Sequence, residues 1–501
     1  MKYNPIFFRR YWLILWIVCL SACSAVQEPQ SATQVAEWPA ISPDYIDVTL
    51  PPHIAPLRFQ LTEPVHEAIA VLSVEGRQWL TAANDRGQFL FEEDDWQEVL
   101  QAAAGKALEV KVYTRPQASK EKEAGWLCYR PFHWQVTTDP VDAYLAYRLI
   151  EPGYELWNKM GIYQRELASF NQEVILANSL TEQNCLNCHS FCQQRPDRML
   201  FHMRATLPGT YVLRDGKIEK LNTKAGGKVN TLVYPSWHPS GRYVAFSVNH
   251  TRQAFHKHDA NRVEVYDLAS DVVVYDVERH EVVTDSLLYS DTAFETFPTF
   301  APDGRTLYFC SAQARTMPGE FDRVKYSLCR TTFDPETRRF GAQVDTLFNS
   351  RIVQRSASFP RVSPDGRWLV FTVASYGNFS IWHRDADLYL ADLQQGTVRP
   401  LTEANSDEVE SYHSWSSNSR WLVFSSRRMD GLYTRPYLMH LDAEGQGGKP
   451  FVLPQADPDA YATFPLSYNL PEWIRDRVTV NPHEWAEQAR EEGTPIRLVQ
   501  P

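Results

Sequence analysis

This 501-residue chain has no G-x-S-x-G elbow, no glycine-rich phosphate loop and no H-E-x-x-H helix. Their absence removes the α/β-hydrolase, phosphate-loop and zincin readings. Acidic residues are plentiful, but no pair has a spacing that points to glycosidase or metal-hydrolase work, and no catalytic residue is assigned. Positive charge is short: 50 Lys and Arg stand against 61 Asp and Glu. A surface that acidic repels phosphate backbones, so no nucleic-acid partner is expected. Long apolar runs are missing as well. The run from Tyr11 to Leu20 is half the ~20 residues that a membrane span needs. Cysteine is sparse, with eight in all, yet three of them crowd into one short segment.

The first residues, MKYNPIFFRRYWLILWIVCLSAC, pair a basic start (Lys2, Arg9, Arg10) with that short apolar run. This is the pattern of a secretory signal. Leu20-Ser21-Ala22-Cys23 resembles a bacterial lipobox, which implies lipidation at Cys23 and a protein anchored to a membrane rather than spanning it. The competing reading is an ordinary signal peptide whose cysteine is incidental. Ser24 stands where a signal for inner-membrane retention more often places Asp, so the expected site is the outer membrane, facing the periplasm. Loss of residues 1–22 takes the basic count from 50 to 47 against 61 acids, a formal charge of −14. Export also permits disulfides among the six cysteines that remain after Cys19 and Cys23.

Composition divides the chain into five parts: a signal (1–22), a polar tether (23–39), a β-rich segment (40–139), a connector (140–204) and a repeat region (205–501). Short alternating stretches such as LRFQLT and ALEVKVYT predict a small β-sandwich over 40–139, with one helical patch, EEDDWQEVLQAAAGK. In 140–204, aromatic and aliphatic residues recur at helical spacing between Pro and Gly breaks, and a mostly helical connector is expected.

The repeat region is the strongest architectural signal. YPSWHPSGRYVAFS, FPTFAPDGRTLYFC, FPRVSPDGRWLVFT and YHSWSSNSRWLVFS begin at Tyr234, Phe297, Phe359 and Tyr412, spaced by 63, 62 and 53 residues. Each sets a tight turn between an entering strand and an apolar strand. No single unit of this kind buries both its faces, so the units must stack, and radial closure into a β-propeller fits the period. The repeats resemble those of TolB and its relatives, which implies a mainly β protein with a TolB-like propeller, expected to have six blades. The fourth repeat departs from the pattern at Ser417-Asn418-Ser419.

Cys185-Leu186-Asn187-Cys188-His189 is a C-x-x-C-H motif, the attachment signature of c-type haem. Chance in this composition predicts about 0.004 such motifs. In that reading the two thiols add to the porphyrin vinyl groups and His189 ligates the iron of one haem c per chain. Zinc held by Cys185, Cys188, His189 and Cys192 is the alternative cofactor. A thiol–disulfide motif and a plain structural disulfide also remain open. His202, Met199 and Met203 are candidate distal metal ligands, with Met160 shortly before the motif. Arg204, Arg195 and Arg198 are candidates for pairing with haem propionates. Cys310 and Cys329 fall on successive strands of one blade, where a disulfide or two buried thiols are both open. His250, His256 and His258 share a loop that could bind metal or simply be solvated.

A C-x-x-C-H segment ahead of a TolB-like propeller is similar to a group of haem-motif lipoproteins of gram-negative bacteria. The resemblance is carried by PGYELWNKMGIYQR, NCLNCHSF, MLFHMR and the repeats. It implies a periplasm-facing monohaem cytochrome with one-electron transfer and an unnamed redox or envelope protein as partner. The alternatives are a propeller binding or scaffold protein with a structural haem or zinc, and a haem enzyme with an open iron site.

Overall fold

The computed structural model describes residues 26–116, 125–152, 159–224, 226, 228–259 and 261–499. The signal and the lipidation candidate Cys23 lie outside those residues.

The turns quoted above close hairpins as expected. Gly241, Gly304 and Gly366 take φ of 72°, 64° and 75°, which a side chain resists and glycine does not. In the fourth repeat Ser419 adopts the same conformation at 61°. There the Asn418 side chain accepts from the Ser416 hydroxyl at 2.6 Å and from the Arg420 amide at 3.1 Å, and so secures the turn.

Each repeat makes a sheet of at least four antiparallel strands, and there are six such sheets. Their innermost strands are Ser467–Ile474 (blade 1), Cys185–Phe191 (blade 2), Val233–Trp237 (blade 3), Ala293–Phe300 (blade 4), Ser356–Val362 (blade 5) and Glu410–Trp415 (blade 6). Each innermost strand packs on the next, and that of blade 1 touches both blade 6 and blade 2, which closes the ring. The protein is therefore mainly β, with a six-bladed propeller. Blade 1 joins the ends of the repeat region: Ser467–Ile474 pairs antiparallel with Tyr144–Ile150, which continues into Met160–Glu166 and Gln172–Ala177. Chain termini interlocked in one blade hold a ring shut without any covalent link. The last residues add Thr494–Pro495 to blade 2 and Arg497–Val499 to blade 3 as parallel edge strands.

Among the described residues of 140–204 the expected helical connector is not present. Those residues form five strands, and the propeller begins at Tyr144 rather than at 205. The cause is burial on both faces. Tyr144–Ile150 lies between its own sheet neighbours and two further layers, with five of its seven residues buried. An apolar run of that kind loses the two-residue alternation that marks a half-buried strand.

The segment before the propeller contains a seven-stranded sheet, a three-stranded sheet and the helix Glu93–Ala103. Residues expected to be tether contribute to it, since Ala32–Gln34 pairs parallel with Trp126–Cys128. Trp96 and Trp134 sit fully buried in a core that continues into blades 6 and 1 through Trp421, Tyr437 and Trp473. The Trp421 indole also donates to the Asp139 carbonyl at 3.1 Å. Among the described residues no helix is long and apolar enough to cross a membrane.

Candidate binding site on the propeller axis

Six residues at one equivalent position, one per blade, carry a left-handed backbone: Cys188 (φ 53°), Tyr234 (50°), Phe297 (50°), Phe359 (50°), Tyr412 (50°) and Leu470 (52°). Each coincides with a β-bulge in its innermost strand. A bulky residue at positive φ costs of order 1–2 kcal/mol. The aromatic contacts offset that cost. Ring centroids are 4.3 Å apart for Tyr234–Phe297, 4.1 Å for Phe297–Phe359 and 4.9 Å for Phe359–Tyr412, so the side chains meet on the axis.

This register shows what the cysteine motif is in the fold. Cys188-His189-Ser190-Phe191 is the blade 2 copy of Tyr234-Pro235-Ser236-Trp237, Phe297-Pro298-Thr299-Phe300, Phe359-Pro360-Arg361-Val362, Tyr412-His413-Ser414-Trp415 and Leu470-Pro471-Glu472-Trp473. The motif thus lies on an innermost strand, with Cys188 in the axial ring. Cys188 is half-buried, and its dense surroundings push the thiol pKa up against the pull of the Tyr234 backbone and of Arg204 and Arg148. His189 is 3% exposed. Neither of its ring nitrogens has a hydrogen-bond partner of ordinary geometry. Burial, helped by the Arg148 charge and opposed by a Leu470 backbone interaction, lowers its pKa to about 3. At neutral pH it is a neutral imidazole, the form that ligates metals. Its counterpart His413, by contrast, contacts the Val370 carbonyl at 2.9 Å. Cys185 is buried, and its sulfur accepts from the Asn187 amide at 2.8 Å. The buried Arg148 clamps this turn of chain through the Leu186 carbonyl at 3.1 Å and the Asn187 side chain.

The other motif-linked residues are spread over both faces of blade 2. Met199 and Met203 are fully buried in the core between blades 1 and 2, together with Cys185 and Leu186. His202 alternates with them, stands opposite Asn187 and has Nδ1 3.2 Å from the Thr210 hydroxyl. The three do not converge on one point. Arg204 is exposed and acts electrostatically on both Cys188 and His202. Arg195 and Arg198 are engaged by Asp197 at 2.5 Å and Asp215 at 3.2 Å. Cys192 packs between blades 2 and 3, away from Cys185, and burial pushes its thiol up to about 11. The Cys₃His set for zinc is therefore not assembled, and no group of three or more metal-ligating side chains occurs among the described residues. That holds equally for His250, His256 and His258. Cys310 and Cys329 are free and face opposite sides of blade 4, one toward blade 5 and one toward blade 3.

Beyond the axial ring, where the innermost strands end, a cavity of about 360 Å³ opens along the axis with walls from all six blades. Its inner wall is Ser190, Ser236, Thr299, Arg361, Ser414 and Glu472, each two residues past a ring position. Phe191, Trp237, Phe300, Trp415 and Trp473 line it further out. Two indoles tie neighbouring blades together: Trp237 donates to the Ser190 carbonyl at 3.3 Å and Trp415 to that of Arg361 at 3.0 Å. Glu472 accepts from the Phe191 amide at 3.0 Å. Burial raises its pKa to about 7 although the Arg361 charge opposes this. Sequence reasoning missed Arg361 and Glu472. The signal was available in the repeats themselves, where four blades keep a hydroxyl residue at that position and two carry a charge.

No protein-family model matches the chain, and no curated protein matches it. Solved structures similar to it include TolB from Acinetobacter baumannii, at 14% identity with a TM-score of 0.43, covering 77% of this chain and 86% of that one. The propeller domain of the trilobed protease from Pyrococcus furiosus is 10% identical, with a TM-score of 0.32 and coverage of 66% and 78%. Hydrazine synthase of Kuenenia stuttgartiensis is 12% identical, with a TM-score of 0.37 and coverage of 64% and 48%. None of these carries an argument about function; the six-bladed reading rests on the strand pairing of this chain.

Proposed function

We propose that the chain is a binding protein of the bacterial cell envelope that takes its ligand into the axial funnel. The observation behind this reading is the 360 Å³ cavity itself, walled by six strands, closed at its inner end by packed rings, and holding one half-buried carboxyl and one half-buried guanidinium. Ligand sites are mostly apolar concavities with a few placed polar groups, and this cavity has that make-up. The signal-like N-terminus and Cys23 support placement in the envelope through a lipid anchor, with an envelope protein or solute as partner.

Replacing Ser414 with Trp fills the funnel without touching the ring. In native mass spectrometry of full-length protein extracted from cells, the wild type carries a bound species that Ser414→Trp lacks. An identical mass increment on both would overturn the proposal.

A second reading is favoured by His189. A neutral imidazole whose ring nitrogens lack a hydrogen-bond partner of ordinary geometry, buried four residues after one thiol and next to another, fits the donor set of a c-type haem. Cys185 and Cys188 would hold the group, His189 would ligate it, and Arg148 and Arg204 would offset its acidic edge. A bound haem would supply one-electron redox capacity. Leu186, Met199 and Met203 are closely packed, and the funnel reaches this strand at Ser190 and Phe191. A pyridine-haemochrome measurement on protein made with a cytochrome c assembly system tests this. Haem retained through denaturation supports the reading, and colourless protein ends it.

A further inference from the structure

A second cavity lies away from the axis. It has a volume of about 780 Å³ and lies on blade 4, lined also by residues of the 314–326 connection and of the short helix Ser350–Val353. Four cations line it, Arg315, Arg323, Lys325 and Arg351, against one acid, Asp322. They are poorly neutralised. Arg323 approaches Glu320 at 3.5 Å while 70% exposed, and among the described residues Lys325 donates to the Gln354 side chain at 3.2 Å and forms no ion pair. The guanidinium groups of Arg315 and Arg351 have no ion-pair partner among the described residues. Many basic residues elsewhere in this acidic chain are paired with carboxylates, as Arg242 is with Asp276 and Arg428 with Glu410.

The floor adds hydrogen-bonding capacity. Ser311, Ser327 and Thr346 lie on one face of the sheet, and Glu295 stands directly opposite Ser311 on that same face. Glu295 is 3% exposed and has a carboxyl oxygen without a partner. It does not line the cavity itself; burial, reinforced by the neighbouring Asp271 charge and opposed by Lys228, raises its pKa to about 8, so it adds little negative charge beneath the cations.

From this uncompensated cation cluster over a hydroxyl-lined floor we infer that the blade 4 cavity is a second binding site, taking a sugar that bears sulfate or phosphate groups. Guanidinium forks match oxyanions in paired hydrogen bonds, and the hydroxyl and amide groups of Ser311, Ser327, Thr346 and Asn349 suit the ring hydroxyls. The volume accommodates a mono- or disaccharide.

The test is calorimetric titration of the full-length protein with a sulfated disaccharide, a sugar phosphate and the unmodified disaccharide. The inference predicts binding of at least one charged probe more tightly than about 1 mM, no binding of the neutral one, and weakening with added salt. Arg315→Glu with Arg351→Glu, both at exposed positions that leave the fold intact, should weaken binding at least tenfold. Ser414→Trp in the axial funnel should leave it unchanged, which keeps this result separate from the axial reading. Failure of both charged probes to bind, equal binding of the neutral sugar, or indifference to the charge reversal would overturn the inference.

Discussion

Ionisation of Glu472 should be visible as a pH-dependent stability that a single substitution removes. Its carboxyl moves from an ordinary 4.5 to about 7 in the folded protein because burial disfavours the charge more than Arg361 and the Phe191 amide favour it. At about 1.4 kcal/mol per tenfold change in acidity, this penalises the native state by roughly 3 kcal/mol once the group is ionised. The sign follows from proton linkage. Between pH 4.5 and about 7 the folded state binds the proton that the unfolded state has released, so stability falls as pH rises through that window and is flat above it. Glu472→Gln cannot ionise. It resembles the protonated native state and leaves the Arg361 charge buried at every pH, which adds only a constant offset. Denaturant unfolding of both proteins from pH 4.5 to 8.5 should therefore show the wild type losing about 3 kcal/mol relative to the variant, all of it below pH 7.5 or so. Parallel pH profiles would refute the reasoning, since they would mean that Glu472 is hydrated and the inner end of the funnel is open to bulk water.

Other consequences are simpler to read. Phe359 packs against Phe297 and Tyr412 on the axis, so Phe359→Ala should cost about 3–5 kcal/mol in denaturant unfolding. Cys188 should be the first thiol alkylated under native conditions, and only slowly below pH 9, because Cys128, Cys185, Cys192, Cys310 and Cys329 are buried. Peptide mapping by mass spectrometry checks that order and should find Cys310 and Cys329 unlinked. His189→Leu removes from a buried site an imidazole with no hydrogen bond of ordinary geometry, so in cofactor-free protein it should leave stability unchanged or raise it by about 1 kcal/mol. A loss above about 2 kcal/mol would reveal a partner for the imidazole.

The propeller was legible because its turns are local. Pro-Asp-Gly needs only neighbouring residues to form, and the four quoted repeats begin at Tyr234, Phe297, Phe359 and Tyr412, which are four members of the axial ring. The two remaining blades show no repeat of that form, and GTYVLRDGKIEKL and YATFPLSYNLPEW mark them only as segments that could complete the ring. In them the ring aromatic is replaced by Cys188 and Leu470, and the tight turn after the innermost strand is absent. Blade 1 moreover pairs strands more than 300 residues apart, Tyr144–Ile150 and Ser467–Ile474, and no local pattern reports such a pairing. The C-x-x-C-H motif was visible as chemistry but not as architecture. Its backbone is that of a propeller repeat, and the strand is so enclosed that helix and strand patterns look alike. Arg361 and Glu472 lay unseen for a related reason, since a single charge on a strand reads as solvent-facing until ring closure turns that face inward.

The most direct test of the axial site is photo-crosslinking in living cells from a benzoylphenylalanine placed at Ser417, which lines the funnel, with the same probe at the exposed Gln78 of the N-terminal segment as control. The account predicts a discrete adduct from position 417, absent from position 78 and abolished when Ser414→Trp is added. An adduct that forms equally from both positions, or that survives the filling of the funnel, would contradict it.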